Sequence, residues 1–270
     1  MPVTRSPQLV DIVCSLGESA HRFDIDVLEC CTSTNAELLT RTEAGAASGT
    51  VLVANTQTAG RGRRGRTWVS APGDSLTFSL LWRFAPGTSP AGLSLAVGNA
   101  VARALEKVGA GGTAAVGSTN HMALQLKWPN DVLMRGGKLA GILIELMPGQ
   151  PHTAVIGIGI NLRLPPHLPE DVRRTAAALN ADMLPAPILA TLLRELLNDL
   201  ERFAVGGFAS LRTEWLARHA FQNSPVRLDS DFAPPVEGIC RGVDNHGALL
   251  LEIDGRTEHI LSGEISLRAL

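Results

Sequence analysis

The feature that most constrains the fold is a short tract of glycine and arginine between two apolar segments. Residues 60–66 hold three glycines and four arginines, in a chain of 270 residues whose net charge is only −2. Glycine lets backbone N–H groups approach a ligand, and the forked guanidinium suits carboxylate and phosphate oxygens. Buried-type strands are predicted on both sides, at 50–54 and 75–82. The tract is therefore a loop between two strands, suited to hold an anion.

Context excludes two common interpretations of this loop. Gly60, Gly62 and Gly65 spell the G-x-G-x-x-G of dinucleotide-binding folds. That motif opens a helix, whereas here the chain continues to Pro72 and another strand. A protein kinase is excluded as well, because no H-R-D or D-F-G segment follows. A nonspecific grip on nucleic-acid phosphates stays open as a minor alternative, although such tracts are usually longer and repetitive.

Composition predicts a globular protein with a local anion site. The chain is 45% hydrophobic with a pI near 6.4, which argues against a surface that is basic throughout. Four cysteines without C-x-x-C spacing and scattered histidines suggest neither a disulfide framework nor a protein-held transition metal. No signal segment and no bilayer-spanning run is present, so we expect a cytoplasmic protein without a membrane partner.

The predicted elements indicate an α+β fold, with a mixed sheet that has helices on one side. Residues 1–222 form the larger domain, and 223–270 form a small β-barrel of short strands with close turns. A Gly/Ala-rich surface insertion is expected at 109–120. Helices are predicted near 7–20, from 33, at 90–108, and twice within 185–219. Further strands are predicted at 26–30, 124–128, 139–145 and 154–161.

A second group of polar residues follows the arginine loop. Three of the 24 basic residues are lysines, and two of these, Lys127 and Lys138, flank Asn130 and Asp131. Pro-Asn-Asp by itself favours an ordinary turn. Together with the arginine loop, however, these residues supply cations for developing charge and a carboxylate able to engage Mg²⁺ or a ribose hydroxyl. They point to a nucleotide site without a Walker motif.

Five motifs in order resemble those of bacterial biotin–protein ligases, of the monofunctional type that lacks an N-terminal DNA-binding domain. The motifs are Ser33-Thr34-Asn35, the loop from Gln57 to Trp68, Lys127-Trp128-Pro129-Asn130-Asp131, Gly137-Lys138-Leu139-Ala140-Gly141-Ile142-Leu143, and Gly157-Ile158-Gly159-Ile160-Asn161. The resemblance extends to the end of the chain and includes Gly247-Ala248-Leu249-Leu250-Leu251 and Gly263-Glu264-Ile265-Ser266-Leu267-Arg268. It implies a catalytic domain related to class II aminoacyl-tRNA synthetases and a C-terminal SH3-like barrel.

The resemblance also implies a reaction and its residues. Biotin and ATP would form biotinyl-5′-AMP and pyrophosphate, and the biotin would then pass to a lysine of a biotin carboxyl carrier domain, as in acetyl-CoA carboxylase. The implied catalytic residues are Arg63, Lys138 and Asp131. The implied biotin-binding residues are Ser33, Thr34, Asn35, Gln57, Arg61, Gly62, Arg63, Lys138 and Gly141. The implied ATP- and adenylate-binding residues are Arg61, Arg63, Arg66, Trp68, Lys127, Asn130, Asp131, Lys138 and Asn161. Mg²⁺ would arrive with ATP, nearest to Asp131, and the protein alone would hold no metal.

Two other functions stay open at this point. A lipoate– or octanoate–protein transferase passes a carboxylic acid to a carrier lysine by the same logic, although the arginine loop and the terminal barrel favour biotin. A biotin-responsive DNA-binding regulator is the alternative from another class, but too few residues precede the first strand for a helix-turn-helix domain, so DNA binding is not expected. The edge strands of such a sheet are able to pair into a homodimer, and the sequence does not decide whether they do.

Overall fold

The structure is a computed structural model, and it describes residues 7–110, 124–165, 168–179, 184–230, 233–261 and 265–270. Most of the insertion predicted at 109–120, and the motif residues Gly263 and Glu264, lie outside this part of the chain. The described residues form a seven-stranded sheet with helices, followed by a five-stranded sheet. This arrangement confirms the predicted α+β class.

The described residues contain six α-helices and twelve β-strands. The helices are α1 (Leu9–Leu16), α2 (Thr34–Glu43), α3 (Leu93–Lys107), α4 (Glu170–Thr175), α5 (Pro185–Gly206) and α6 (Arg212–Arg218). The strands are β1 (Asp24–Cys31), β2 (Thr50–Gln57), β3 (Ser75–Arg83), β4 (Gln125–Lys127), β5 (Asp131–Met134), β6 (Gly137–Met147), β7 (Gln150–Asn161), β8 (Pro225–Ser230), β9 (Val236–Val243), β10 (Leu249–Ile253), β11 (Arg256–Ile260) and β12 (Ile265–Ala269). Within the described ranges, no helix is long and apolar enough to cross a membrane.

The large sheet has the strand order β1-β2-β3-β7-β6-β5-β4. Strands β1 and β2 run parallel, and every other neighbouring pair is antiparallel, which makes the sheet mixed as predicted. Strand β7 lies at the centre, between β3 and β6. Residues far apart in the sequence therefore meet along this strand.

Helices cover both faces of the large sheet. On one face, Ile156, Ile158 and Ile160 of β7 belong to the same hydrophobic cluster as the buried residues of α3 and α5. On the other face, Leu38 of α2 packs with Leu81 of β3 and with β7 in a separate small cluster. The expectation of helices on one side only is therefore wrong. Side chains of a strand alternate between faces, so the residues between the three isoleucines point toward the α2 side.

The second sheet is antiparallel and has the order β11-β10-β9-β8-β12. It is joined to the larger domain by polar as well as apolar contacts. The buried indole of Trp128 donates a hydrogen bond to the backbone oxygen of Gly247 at 3.1 Å. The Arg212 guanidinium donates to the backbone oxygen of Val243 at 2.7 Å. Trp128, which belongs to the Lys-Trp-Pro-Asn-Asp motif, thus connects the part of the chain that carries the large sheet to the second sheet.

A network of ion pairs holds the helices α3, α5 and α6 together. Arg103 of α3 lies 2.5 Å from Glu195, 2.6 Å from Asp199 and 2.8 Å from Glu214, each measured from a guanidinium nitrogen to a carboxylate oxygen. The Asp199 side chain is 2% exposed. Burial raises the pKa of Asp199, although the Arg103 charge opposes that shift. One guanidinium therefore compensates two carboxylates with little access to water, Glu195 and Asp199, and a third that is partly exposed.

We expect Arg103→Ala to lower the free energy of unfolding by roughly 3 kcal/mol, because it leaves buried carboxylates without their main cation. Urea unfolding followed by circular dichroism measures the loss. Arg22→Ala is the matched control, since it breaks one exposed ion pair, with Glu201, and such pairs contribute little. Equal losses in the two variants would contradict the importance given to the Arg103 network.

Candidate active site

The site is built on one row of residues that crosses the large sheet on its α2 side. Gly159 of β7 lies opposite Thr77 of β3 and Gly141 of β6. Gly141 in turn lies opposite Asp131 of β5, which pairs with Lys127 of β4. The row therefore joins three motifs that are separate in the sequence, and their side chains share one face because partners across a sheet point the same way.

Strand β7 offers no side chains at the centre of this face. A Cβ atom added at Gly159 would lie 2.4 Å from the Trp68 ring, and one added at Gly157 would lie 2.3 Å from Asn35 Oδ1. Gly141 is tight as well, with Lys138 Cε and the Trp68 ring at 3.0 and 3.1 Å from an added Cβ. The glycines thus let an aromatic ring and an amide lie directly on the sheet.

One end of the site is a cluster of neutral polar groups. The Gln57 side-chain oxygen accepts a hydrogen bond from the Thr34 backbone N–H at 2.8 Å. The Ser79 hydroxyl donates to Asn35 Oδ1 at 2.6 Å and lies 2.7 Å from the Thr34 hydroxyl. Ser33 takes the N-cap position of α2, but its side chain makes no capping hydrogen bond. These groups are buried or nearly so, and they suit a ligand with amide-like donors and acceptors.

The arginine loop closes on itself above this cluster. The Trp68 N–H donates to the backbone oxygen of Gly60 at 2.9 Å, and the Gly62 N–H donates to that of Arg66 at 2.7 Å. A Cβ added at Gly60 would lie 2.4 Å from the Trp68 backbone oxygen, so the narrow neck of the loop requires glycine there. The loop is therefore a compact structure that presents guanidinium groups at defined places.

Three of the four guanidinium groups on the loop contact different parts of the structure. Arg61 forms an ion pair with Glu145 of β6 at 3.1 Å. Arg63 donates to the side-chain oxygen of Asn130 at 3.4 Å, and Arg64 donates to the backbone oxygen of Asp229 at 3.5 Å. Arg66 is exposed. The loop thus contacts the sheet and the second domain at once.

A carboxylate between two lysines forms the other end of the site. Asp131 lies 2.6 Å from Lys138 Nζ and 3.7 Å from Lys127 Nζ. Burial lowers the pKa of Lys127 despite the nearby Asp131 charge. Lys138 Nζ also lies 5.8 Å from the centre of the Trp68 ring. This end carries net positive charge beside the neutral polar cluster.

Two predicted site residues bind the backbone in this structure. The Asn161 amide donates to the backbone oxygens of Lys138 and Ala177, at 3.1 and 3.0 Å. The Asn130 amide donates to the backbone oxygen of Ile142 at 2.8 Å. Both residues fix the path of β6 and its neighbours, and their contact with a nucleotide stays a prediction.

The polar cluster and the loop enclose a narrow cavity of about 50 Å³. Its walls include every residue assigned above to biotin, from Ser33 and Gln57 to Lys138 and Gly141. Trp68, Asn130 and Arg63 of the nucleotide set also line it, whereas Arg66, Lys127, Asp131 and Asn161 do not. A larger groove of about 1100 Å³ lies on the outer side, between the loop, β6 and the turn at residues 246–248.

Among the described residues, no group of three or more His, Cys, Asp or Glu side chains is arranged to hold a metal ion. Two contributors to the site escaped the sequence analysis, Ser79 and Glu145. For Ser79 a signal was present, because the small polar residues Ser75, Thr77 and Ser79 alternate with large apolar ones along β3. For Glu145 the only hint was a charged residue near the end of an apolar strand.

Sequence profiles of two protein families match the chain. The profile described as "Biotin/lipoate A/B protein ligase family" covers residues 27–161 and thus contains every residue that lines the narrow cavity. The profile described as "Biotin protein ligase C terminal domain" covers residues 223–268, the five-stranded sheet.

Individual proteins match over most of the chain. A biotin–[acetyl-CoA-carboxylase] ligase of Mycobacterium tuberculosis is 37% identical, with 93% of this chain and 91% of that protein covered. The bifunctional ligase/repressor BirA of Escherichia coli is 39% identical, with 91% and 74% covered. Among solved structures, a biotin protein ligase of Aquifex aeolicus in complex with biotin and ATP superposes with a TM-score of 0.77. That structure is 29% identical, with 92% of this chain and 99% of the other covered. By these matches and by its fold, the chain belongs to the biotin/lipoate A/B protein ligase family.

Proposed function

We propose that the protein is an ATP-dependent biotin–protein ligase. The observation that carries the proposal is the shared cavity: all residues assigned to biotin line one small space, and its charged end lies against the lysine–aspartate row. An acid bound there has its polar ring at the amide cluster and its carboxylate near Lys138 and the arginine loop. The Aquifex aeolicus relative, solved with biotin and ATP, supports the same pairing of ligands.

The neutral end of the cavity is suited to the ureido ring of biotin. A ureido group has two N–H donors and one carbonyl acceptor, and Thr34, Asn35 and Ser79 offer hydroxyl and amide groups in one cluster. Gly157 and Gly159 carry no side chains, so the bicyclic ring would approach the sheet at this face once the Trp68 ring has moved away from Gly159. A cavity of about 50 Å³ is far below the size of usual ligand sites, so binding requires the loop or Trp68 to shift outward.

The charged end is suited to the first chemical step. A carboxylate oxygen of biotin attacks the α-phosphorus of ATP, the bond from that phosphorus to the bridging oxygen breaks, and pyrophosphate leaves with the electron pair. Lys138 and Arg63 would stabilise the charge that develops on the phosphoryl oxygens. No nucleophile of the protein is needed, since positioning and electrostatics carry such transfers.

Magnesium would enter this step with the phosphates of ATP, as it does at most nucleotide sites. Asp131 is a poor candidate for its main ligand, because its two carboxylate oxygens already face the ammonium groups of Lys138 and Lys127. We therefore assign Asp131 the task of orienting Lys138.

In the second step an amine of a carrier lysine attacks the carbonyl carbon of the mixed anhydride. The carbon–oxygen bond to the phosphate breaks, AMP leaves, and the amine nitrogen loses a proton. The acceptor is a biotin carboxyl carrier domain, and relatives named biotin–[acetyl-CoA-carboxylase] ligase support that choice. A homodimer, formed by pairing between edge strands of the large sheet, remains a prediction.

We expect the purified protein to catalyse ATP–pyrophosphate exchange that requires biotin, because exchange reports reversible formation of the acyl-adenylate. Parallel reactions with lipoate in place of biotin, and with neither acid, serve as controls. Exchange with lipoate alone would move the protein to the other branch of its family. A lack of exchange with either acid would overturn the proposed chemistry.

We expect Lys138→Ala to reduce this exchange by about a hundredfold or more, the usual effect of removing one group that stabilises transition-state charge. Its urea midpoint should remain near that of the parent, because Lys138 is partly exposed. Lys107→Ala is the matched control, a lysine of α3 that pairs with Glu195 far from the cavity, and it should retain exchange. Full exchange by Lys138→Ala, or its failure to fold, would contradict this role.

A further inference from the structure

We infer that Glu145 is a positioning residue that fastens the arginine loop to the sheet and fixes the Asn35 amide in one orientation. The inference deepens the proposed function, because it assigns Arg61 to a clasp with Glu145 instead of to the substrate. The motif pattern predicts neither the part played by the Glu145 carboxylate nor a structural role for Arg61 that differs from the role of Arg63.

The carboxylate of Glu145 joins two elements that the backbone does not connect. Its Oε2 accepts a hydrogen bond from Asn35 Nδ2 at 2.7 Å. Arg61 Nη2 lies 3.1 Å from Oε1 and 3.2 Å from Oε2 of the same carboxylate. One side chain of β6 therefore holds the start of α2 and the base of the loop together. Hydrogen bonds with an ionised partner are the stronger ones in proteins, so this joint is stronger than contacts between neutral groups.

Glu145 also determines which way the Asn35 amide points. The amide nitrogen has two N–H groups, and it donates to Glu145 and to the backbone oxygen of Leu143 at 3.2 Å. The amide oxygen accepts from Ser79 at 2.6 Å. Turning the amide over would bring its oxygen against the carboxylate and lose both N–H bonds. With both donors in use, the amide presents only its oxygen to the cavity, as an acceptor for a ligand N–H group.

The position of the clasp gives it a function in the reaction. Arg61 and Glu145 line the outer groove, while Arg61 and Asn35 also line the cavity, so the joint lies on the boundary between the two spaces. The Glu145 side chain is 26% exposed and that of Arg61 is 47% exposed. An ion pair with this much solvent exposure contributes little free energy, so it favours the closed loop only slightly and breaks when ligand enters. A closed loop retains a reactive adenylate, and an open one releases it.

The test uses Glu145→Gln, which keeps the size of the side chain and removes its charge. We expect trypsin to cleave the ligand-free variant within residues 61–66 about five to ten times faster than the parent, as expected for the loss of one charge-assisted contact. Fragments identified by mass spectrometry locate the cuts. We also expect a similar rise in the KM for biotin and in the rate of adenylate release, with kcat for exchange within about threefold of the parent.

Two further variants make the test specific. Glu252→Gln removes a carboxylate from an exposed pair with Arg241 in the second domain, and it should behave like the parent. Arg61→Ala removes one trypsin site, so cleavage is compared after Arg63, Arg64 and Arg66. There it should be as fast as in Glu145→Gln, and the double variant should be cleaved no faster than either alone, because both changes open one clasp.

The inference would be overturned if trypsin cleaved Glu145→Gln, and if that variant released adenylate, at the parental rate. It would also be overturned if the increases seen in the two single variants multiplied in the double variant. Equal unfolding midpoints for parent and variants exclude a general loss of stability. The proteolysis comparison needs no substrate, so it tests the clasp even if the exchange reaction fails. Failure of exchange in the parent would count against the proposed function and leave the clasp standing.

Discussion

The whole site depends on the gap that two glycines leave at the centre of the large sheet. Strand β7 carries isoleucines on the face that packs against α3 and α5, and it carries Gly157 and Gly159 at positions between them. Where the isoleucines fill the core, the glycines open the opposite face. Asn35 from α2 and Trp68 from the loop lie in that opening, and larger residues at either glycine would collide with them. The same strand therefore supports the core and the floor of the site.

In the site, positively charged side chains lie next to carboxylates that partly neutralise them. Asp131 lies between two lysines, and Glu145 holds Arg61, so these cations have a carboxylate nearby without any ligand. This arrangement limits the cost of placing positive charge in partly buried positions. It also means that an incoming carboxylate or phosphate competes with carboxylates already there. Selectivity then depends on which cations a ligand recruits and which remain with the protein.

Much of the fold follows from local sequence signals, whereas the family resemblance marked most residues of the cavity wall, and the exceptions in the fold have physical reasons. The predicted strand at 50–54 continues to Gln57 because Thr56 and Gln57 pair with Cys30 and Cys31 of β1, a contact that no local pattern reports. The helix predicted near 7–20 is α-helical only to Leu16, where Gly17 turns the chain with a φ of 58°, and residues Gly17–Arg22 continue as a 3-10 helix. The helix α2 was expected on the same side as the others. Its position on the opposite face depends on tertiary packing against β3 and β7.

The residues that the sequence left unassigned are those whose partners are distant. Glu145 meets Asn35 across 110 positions and Arg61 across 84, so neither contact has a signature in spacing. The motif residues Asn130 and Asn161 were assigned to the nucleotide from their positions in a motif, yet their amides bind the backbone here. A motif marks a position without showing whether its side chain faces ligand or backbone. Resemblance identified the cavity, and only the geometry separated the groups that line it from those that support it.

The most direct test of the account is the affinity of Gly157→Ala for biotin, measured by isothermal titration calorimetry. The added Cβ would lie 2.3 Å from Asn35 Oδ1 and displace that amide from the cavity. Gly98→Ala is the control, because its Cβ meets only ordinary contacts, the nearest at 3.5 Å. We expect about tenfold weaker binding in Gly157→Ala, as for one lost hydrogen bond, and parental binding in Gly98→Ala. Parental affinity in Gly157→Ala would contradict the claim that biotin binds on the glycine face of β7.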